Sequence, residues 1–162
     1  MAMAEDGFLK LDNQLCFVLY AASRMLTKLY GPFLAKLDMT YPQYLVMLVL
    51  WEQDHQTVTA IGKRLYLDTG TLTPLLKRLE AQGRISRNRS ADDERKVVVT
   101  LTQQGKALKN TARSIPEALF CRSGLTLEEF LSLKTSVSDL LLRMDAEMKT
   151  DHACDARLEG SG

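Results

Sequence analysis

A chain of 162 residues with 46% hydrophobic and 25% charged side chains can bury one real core, which excludes collagen-like and disordered compositions. No apolar run is long enough to cross a bilayer, and the first ten residues lack the basic-then-apolar plan of a signal peptide, so the reading is cytoplasmic with no membrane partner. The formal net charge of +1 does not by itself mark a nucleic-acid binder.

The first predicted helix runs from Asp12 to Tyr30, where Leu15, Val18, Leu19, Ala22, Met25, Leu26 and Leu29 recur at helical steps. Asp12 is its expected N-cap, and Gly31-Pro32 its expected end. A second helix opens at Thr40-Tyr41-Pro42 and continues to Trp51, apolar enough to be buried. Thr57-Val58-Thr59 reads as a short strand, Ala60–Leu67 as a short helix, and Thr69–Gln82 as a helix capped by Asp68 and ended by Gly83. Ile85–Arg89 reads as a strand and Lys96–Thr102, β-branched and apolar, as a second, joined by the polar turn Ser90–Glu94 into a hairpin. Gln103–Ser114 is helical until Pro116. Thr126 with Glu129 forms a capping-box pattern that opens a helix to about Lys149. Residues 151–162 read as a frayed, disordered tail.

Short helix, tight turn, helix and hairpin are the order of a winged helix-turn-helix. The fold class is therefore mainly α with a small β-hairpin wing. The DNA-reading part falls at about 57–103, between flanking helices at about 9–31 and 104–150, all in one domain. Between Thr57 and Gly105 nine basic residues stand against five acidic ones, a local +4 on a near-neutral protein. The start of the second short helix offers Thr69, Gly70, Thr71 and Thr73 to base edges and phosphates. Lys77 stands about one turn further on, next to Arg78. Arg89 and Arg95 at the hairpin tip suit a minor groove. Asp93, repelled by phosphate, would hold Arg95 in place. Cys16, Cys121 and Cys154 are odd in number and far apart, so they make no disulfide scaffold, and no cluster supports a metal.

Leu72-Thr73-Pro74-Leu75-Leu76-Lys77-Arg78-Leu79-Glu80-Ala81-Gln82-Gly83 resembles the recognition helix of the multiple antibiotic resistance regulator (MarR) family. Asp92-Asp93-Glu94-Arg95 followed by Val97–Thr102 resembles its wing. The similarity covers roughly residues 9–148. It implies a homodimer with interleaved terminal helices, reading a palindromic operator in double-stranded DNA. Leu11–Tyr20 with Tyr30-Gly31-Pro32 resembles the branch of the organic hydroperoxide resistance regulators. That likeness implies that Cys16 senses peroxide, that Tyr20 and Tyr30 hydrogen-bond it (one across the dimer), and that Tyr41 belongs to the pocket. Cys121 matches the second cysteine of two-cysteine members. The implied switch is oxidation of Cys16 to a sulfenic acid, then an intersubunit disulfide with Cys121 that releases the operator.

The chemistry also stands without the family. A capped first turn favours thiolate at Cys16, and Phe17, Leu19 and Met47 are candidates for an apolar wall against an alkyl peroxide. No cofactor is implied. Two alternatives stay open: release by a phenolic or carboxylate ligand, with Cys16 inert, and a thiol peroxidase. The second is disfavoured because no Arg or Thr constellation resembles such a catalytic site, so the chain is read as no enzyme. Cys154 receives no role.

Overall fold

The computed structural model describes residue 7, residues 9–90, residue 93 and residues 95–159, with side chains described as far as residue 150. Two compact units divide between Arg122 and Ser123. The first carries helices α1 (Leu15–Lys36), α2 (Tyr41–Glu52), α3 (Val58–Leu65), α4 (Thr69–Ala81) and α5 (Gln103–Ala112). It also carries strands β1 (Gln56–Thr57), β2 (Ile85–Arg89) and β3 (Val97–Leu101). Helix α6 (Ile115–Ser123) belongs to this unit up to Arg122, and α7 (Leu127–Glu159) falls in the second.

Helix α2 is the centre of the core. Tyr44, Val46, Met47 and Leu50 are buried, together with Ile61 of α3, Leu72, Leu76 and Leu79 of α4, Ile85 of β2, and Val99 and Leu101 of β3. The three strands are antiparallel in the order β1-β3-β2, with Ile85 opposite Leu101 and Arg89 opposite Val97. Val99 and Leu101 point inward at a spacing of two, as a half-buried strand requires. Gln56 and Thr57 pair with Val99 and Val98. Thr57 ends β1 and also caps α3 by accepting from the Ala60 amide at 3.1 Å. The expected strand at Thr57–Thr59 is therefore Gln56–Thr57, and α3 begins two residues earlier than expected.

Three further expectations are corrected. Asp12 does not cap α1. Leu11–Asn13 forms a 3₁₀ turn, closed by Gln14 N–H donating to Leu11 O, and the extended Gln14 takes the N-cap position without a side-chain bond. Gly31-Pro32 does not end α1. The missing proline N–H and its ring cost a helix about 3 kcal/mol, but continuing to Lys36 buries Leu34 and Leu37 in the core. Nor does Pro116 leave an irregular segment. It sits in the first turn of α6, where a proline is tolerated, so Cys121 is helical.

In the second unit the capping box of α7 is present. Thr126 N–H donates to Glu129 Oε2 at 2.8 Å, and Glu129 N–H to Thr126 Oγ1 at 3.2 Å. The helix continues to Glu159, where the sequence reading placed a disordered tail; residues 160–162 lie outside the described ones.

Candidate nucleic-acid interface and thiol site

The start of α4 is built by its cap. Asp68 Oδ1 accepts from the Thr71 amide at 2.8 Å, and Oδ2 from the Thr71 hydroxyl at 2.7 Å. These bonds hold the Asp68 carboxyl below its usual range, the Thr71 hydroxyl contributing most. The Thr73 hydroxyl donates to Thr69 O at 2.7 Å. Both hydroxyl protons are thus spent inside the helix, and the threonines offer methyl groups and acceptor lone pairs outward. Thr69, Gly70 and Thr71 are exposed and Thr73 half-buried, while Lys77 and Arg78 continue the exposed face.

The wing carries the remaining positive charge. Arg95 donates from its backbone and from Nε to Asp93 Oδ1, at 3.1 and 3.2 Å, and Lys96 Nζ lies 3.4 Å from Oδ2. The Arg95 backbone bond leads the causes that depress the Asp93 carboxyl. The expected Asp93–Arg95 bond is therefore present, with Arg95 92% exposed. Ala91, Asp92 and Glu94 of the expected turn lie outside the described residues. Arg87 is consumed internally by Glu80, at 2.6 Å, and Arg64 by Glu52, at 2.9 Å. Among the described residues no ion pair is formed by Lys77, Arg78 or Arg89.

Cys16 is the second residue of α1, exposed and unpaired, where backbone N–H groups lack intrahelical partners. Tyr20 stands one turn on; its hydroxyl accepts from Arg24 Nη1 at 3.1 Å, with the guanidinium 5.4 Å above the ring. Tyr30 and Tyr41 lie elsewhere, with ring centroids 4.8 Å apart, and Tyr44 adds a third ring 5.8 Å from Tyr30. Burial, then the neighbouring Tyr41 and Tyr44, pushes the Tyr30 hydroxyl up to about 12. Tyr30 is fourteen residues from Cys16, roughly 21 Å along a helix. One chain therefore brings together Cys16 with Tyr20, and separately Tyr30 with Tyr41. Phe17 and Leu19 are half-buried, but Met47 is wholly inside the core and presents no wall to the thiol. Cys121, exposed in α6, precedes Arg122, whose guanidinium lies 5.6 Å from the Phe33 ring near the far end of α1. Cys154 has no described side chain, and no metal-binding cluster occurs among the described residues.

The family model described as "Transcriptional regulator SarA/Rot" matches residues 28–112. An organic hydroperoxide resistance transcriptional regulator of Bacillus subtilis (strain 168) is 52% identical over 133 residues, covering 82% of this chain and 90% of that protein. Among solved structures, AbfR of Staphylococcus epidermidis is similar in more than one state. Reduced AbfR bound to DNA is 36% identical with a TM-score of 0.73, covering 90% of this chain and 99% of that one. Disulfide-formed AbfR is 38% identical with a TM-score of 0.57, covering 82% and 93%. Wild-type MarR from E. coli is 26% identical with a TM-score of 0.64, covering 79% and 97%. The chain belongs to the MarR family of winged-helix transcriptional regulators, in the branch of the organic hydroperoxide resistance regulators.

Two features of this MarR-family chain escape a reading of the sequence. Tyr66 holds φ +55° at the end of α3, where Leu67 N–H returns to Gly62 O at 2.9 Å and Tyr66 N–H to Lys63 O at 3.4 Å. This turn is normally closed by glycine. Arg84 counts toward the local positive charge in the sequence, yet its side chain is only 7% exposed and faces inward. Its partners are carbonyls 46 and 47 residues away, so no local pattern announces them.

Proposed function

We propose that two copies of this chain form a homodimer that represses transcription by binding a palindromic operator in double-stranded DNA, and that an organic hydroperoxide releases it by oxidising Cys16. The observation that carries this reading is the joining of two parts in one unit. A capped α4, flanked by cations that form no ion pair among the described residues, stands with a helix that exposes a thiol in its first turn. Thr69, Gly70, Thr71 and Thr73 approach the major groove, Lys77 and Arg78 hold the backbone, and Arg89 with Asp93-oriented Arg95 takes the minor groove. The names of the relatives support the same reading. Peroxide is here a signal and not a turnover substrate.

The redox step balances as follows. The Cys16 thiolate attacks one peroxide oxygen, the O–O bond breaks, and the alkoxide leaves and takes a proton as the alcohol, giving a sulfenic acid. The thiolate of Cys121 from the partner subunit then displaces hydroxide, which leaves as water, and the S–S bond forms. Arg122 against Phe33 puts Cys121 beside the end of α1 remote from Cys16 in the same chain. A disulfide needs Cα atoms within about 7 Å, which favours pairing between chains. Tyr20 of one chain and the Tyr30–Tyr41 pair of the other can complete one pocket in the same way. After cumene hydroperoxide, non-reducing electrophoresis is expected to give a covalent dimer in wild type and none in Cys16→Ser or Cys121→Ser. A dimer persisting in Cys121→Ser contradicts the pairing.

One observation favours a second reading. A cleft of about 360 Å³ between α2 and α5 has apolar walls from Tyr44, Leu48, Trp51 and Pro116, with Lys109 and Arg113 at its edge. That composition suits a phenolic or carboxylate effector. Release of operator by salicylate but not by cumene hydroperoxide selects this reading over the first.

A further inference from the structure

We propose that Arg84 is the positioning residue that couples the thiol-bearing helix to the DNA-reading head, by capping the C-terminus of α1 from the turn between α4 and β2. This rests on the peroxide-release reading above. Helix α1 is a 22-residue rod with Cys16 at its start. At its end, Met39 N–H bonds Leu34 O and Asp38 N–H bonds Ala35 O, with Asp38 at φ +48°. The carbonyls of Leu37, the C-cap residue, and of Asp38 just past it lie at the negative end of the helix dipole. Arg84 donates to both: Nη2 to Leu37 O, and Nη1 to Asp38 O at 3.1 Å. Gln82, the C-cap of α4, reinforces the clasp, donating Nε2 to Asp38 O at 3.1 Å and to Asp38 Oδ2 at 2.8 Å.

The backbone of Arg84 is tied just as firmly to the reading head. Its N–H donates to Leu79 O of α4 at 3.0 Å, and its carbonyl accepts from the Thr102 amide and hydroxyl at the joint of β3 and α5, both at 3.1 Å. One residue thus bonds the end of α1, the end of the recognition helix and the base of the wing. A rotation or slide of α1 moves the two carbonyls, and the fork must follow or break.

Stability alone is a poor reason for this arginine. The guanidinium is almost fully desolvated, Nε has no partner, and the nearest carboxylate, Asp38, lies 3.8 Å away and is itself 78% exposed. An apolar side chain of similar length fills such a site without the desolvation cost. A planar fork on two successive carbonyls adds what an apolar chain lacks, a fixed direction between the two bodies.

The test uses a duplex selected from a random library by reduced full-length wild type, with cumene hydroperoxide as oxidant. The readout is the ratio of oxidised to reduced Kd, which a loss of stability alone does not move. Wild type is expected to weaken about 50-fold on oxidation. Arg84→Met, which keeps the apolar stem, is expected to form the Cys16–Cys121 cross-link at the wild-type rate yet weaken less than about 5-fold. If Arg84→Met does not fold, Gln82→Ala opens the other half of the clasp and is expected to lower the ratio in the same direction. A wild-type ratio in a folded, cross-linked variant overturns the coupling and leaves the peroxide reading intact. A wild type that keeps its affinity when oxidised overturns the peroxide reading, and the coupling with it.

Discussion

Tyr66 occupies a left-handed backbone position that costs an L-residue roughly 1–2 kcal/mol relative to glycine, and the residue is 55% exposed. Glycine also gains entropy in the unfolded chain, which offsets part of the relief. Tyr66→Gly is therefore expected to stabilise the protein by about 0.5–1 kcal/mol in urea unfolding; an unchanged or lowered midpoint contradicts this. Asp54 works in the opposite sense. Burial raises its carboxyl, but the amides of Leu101 and His55, both at 2.8 Å from Oδ1, and Lys106 at 3.4 Å together bring it below its ordinary value. A folded pKa below the unfolded one gives stability above the unfolded pKa that is lost as pH falls through the folded one. Wild type should lose more thermal stability between about pH 5 and pH 3 than Asp54→Asn; parallel curves contradict the assignment. Side-chain caps such as Asp68 and Thr126 were legible in the sequence because donor and acceptor lie three residues apart. Asp12 was not, because the cap position depends on the 3₁₀ turn around it.

Among the elements, the start of α5 packs so tightly on the turn before β2 that only glycine fits. A Cβ at Gly105 would stand 2.0 Å from Arg84 O and 3.3 Å from Leu101 Cδ2, while Gly105 O accepts from Trp51 Nε1 at 2.9 Å. Gly105→Ala is expected to destabilise by about 3 kcal/mol or more, read by chemical denaturation; a variant within about 0.5 kcal/mol of wild type contradicts the packing. Hydrophobic periodicity located α4, and the apolar runs of α2 and β3 located those two, because each carries its burial in its own local composition. Local pattern misjudged the end of α1 at Gly31-Pro32, since the burial of Leu34 and Leu37 that carries the helix onward is a tertiary effect. The same limit hid α6, whose only buried apolar residue is Ile115.

Across the whole molecule, two apolar faces remain open, each within its own unit. Helix α1 exposes Leu15, Val18, Met25 and Leu26, and α7 exposes Leu131, Leu133, Val137 and Leu141. Contiguous exposed apolar faces mark interaction surfaces, and a second copy is the occupant the proposed function supplies. The reading head was legible from its order of elements and local charge. The relation of Cys16 to Tyr30 and Cys121 was not legible from local pattern, and in the proposed function it spans two chains. The central claim, that chemistry at one thiol releases DNA, is tested most directly by operator binding of wild type and Cys16→Ser before and after cumene hydroperoxide, using the selected duplex. Wild type should bind when reduced and dissociate when oxidised, while Cys16→Ser stays bound throughout. Oxidised wild type that remains on the operator, or Cys16→Ser that leaves it equally, contradicts the account.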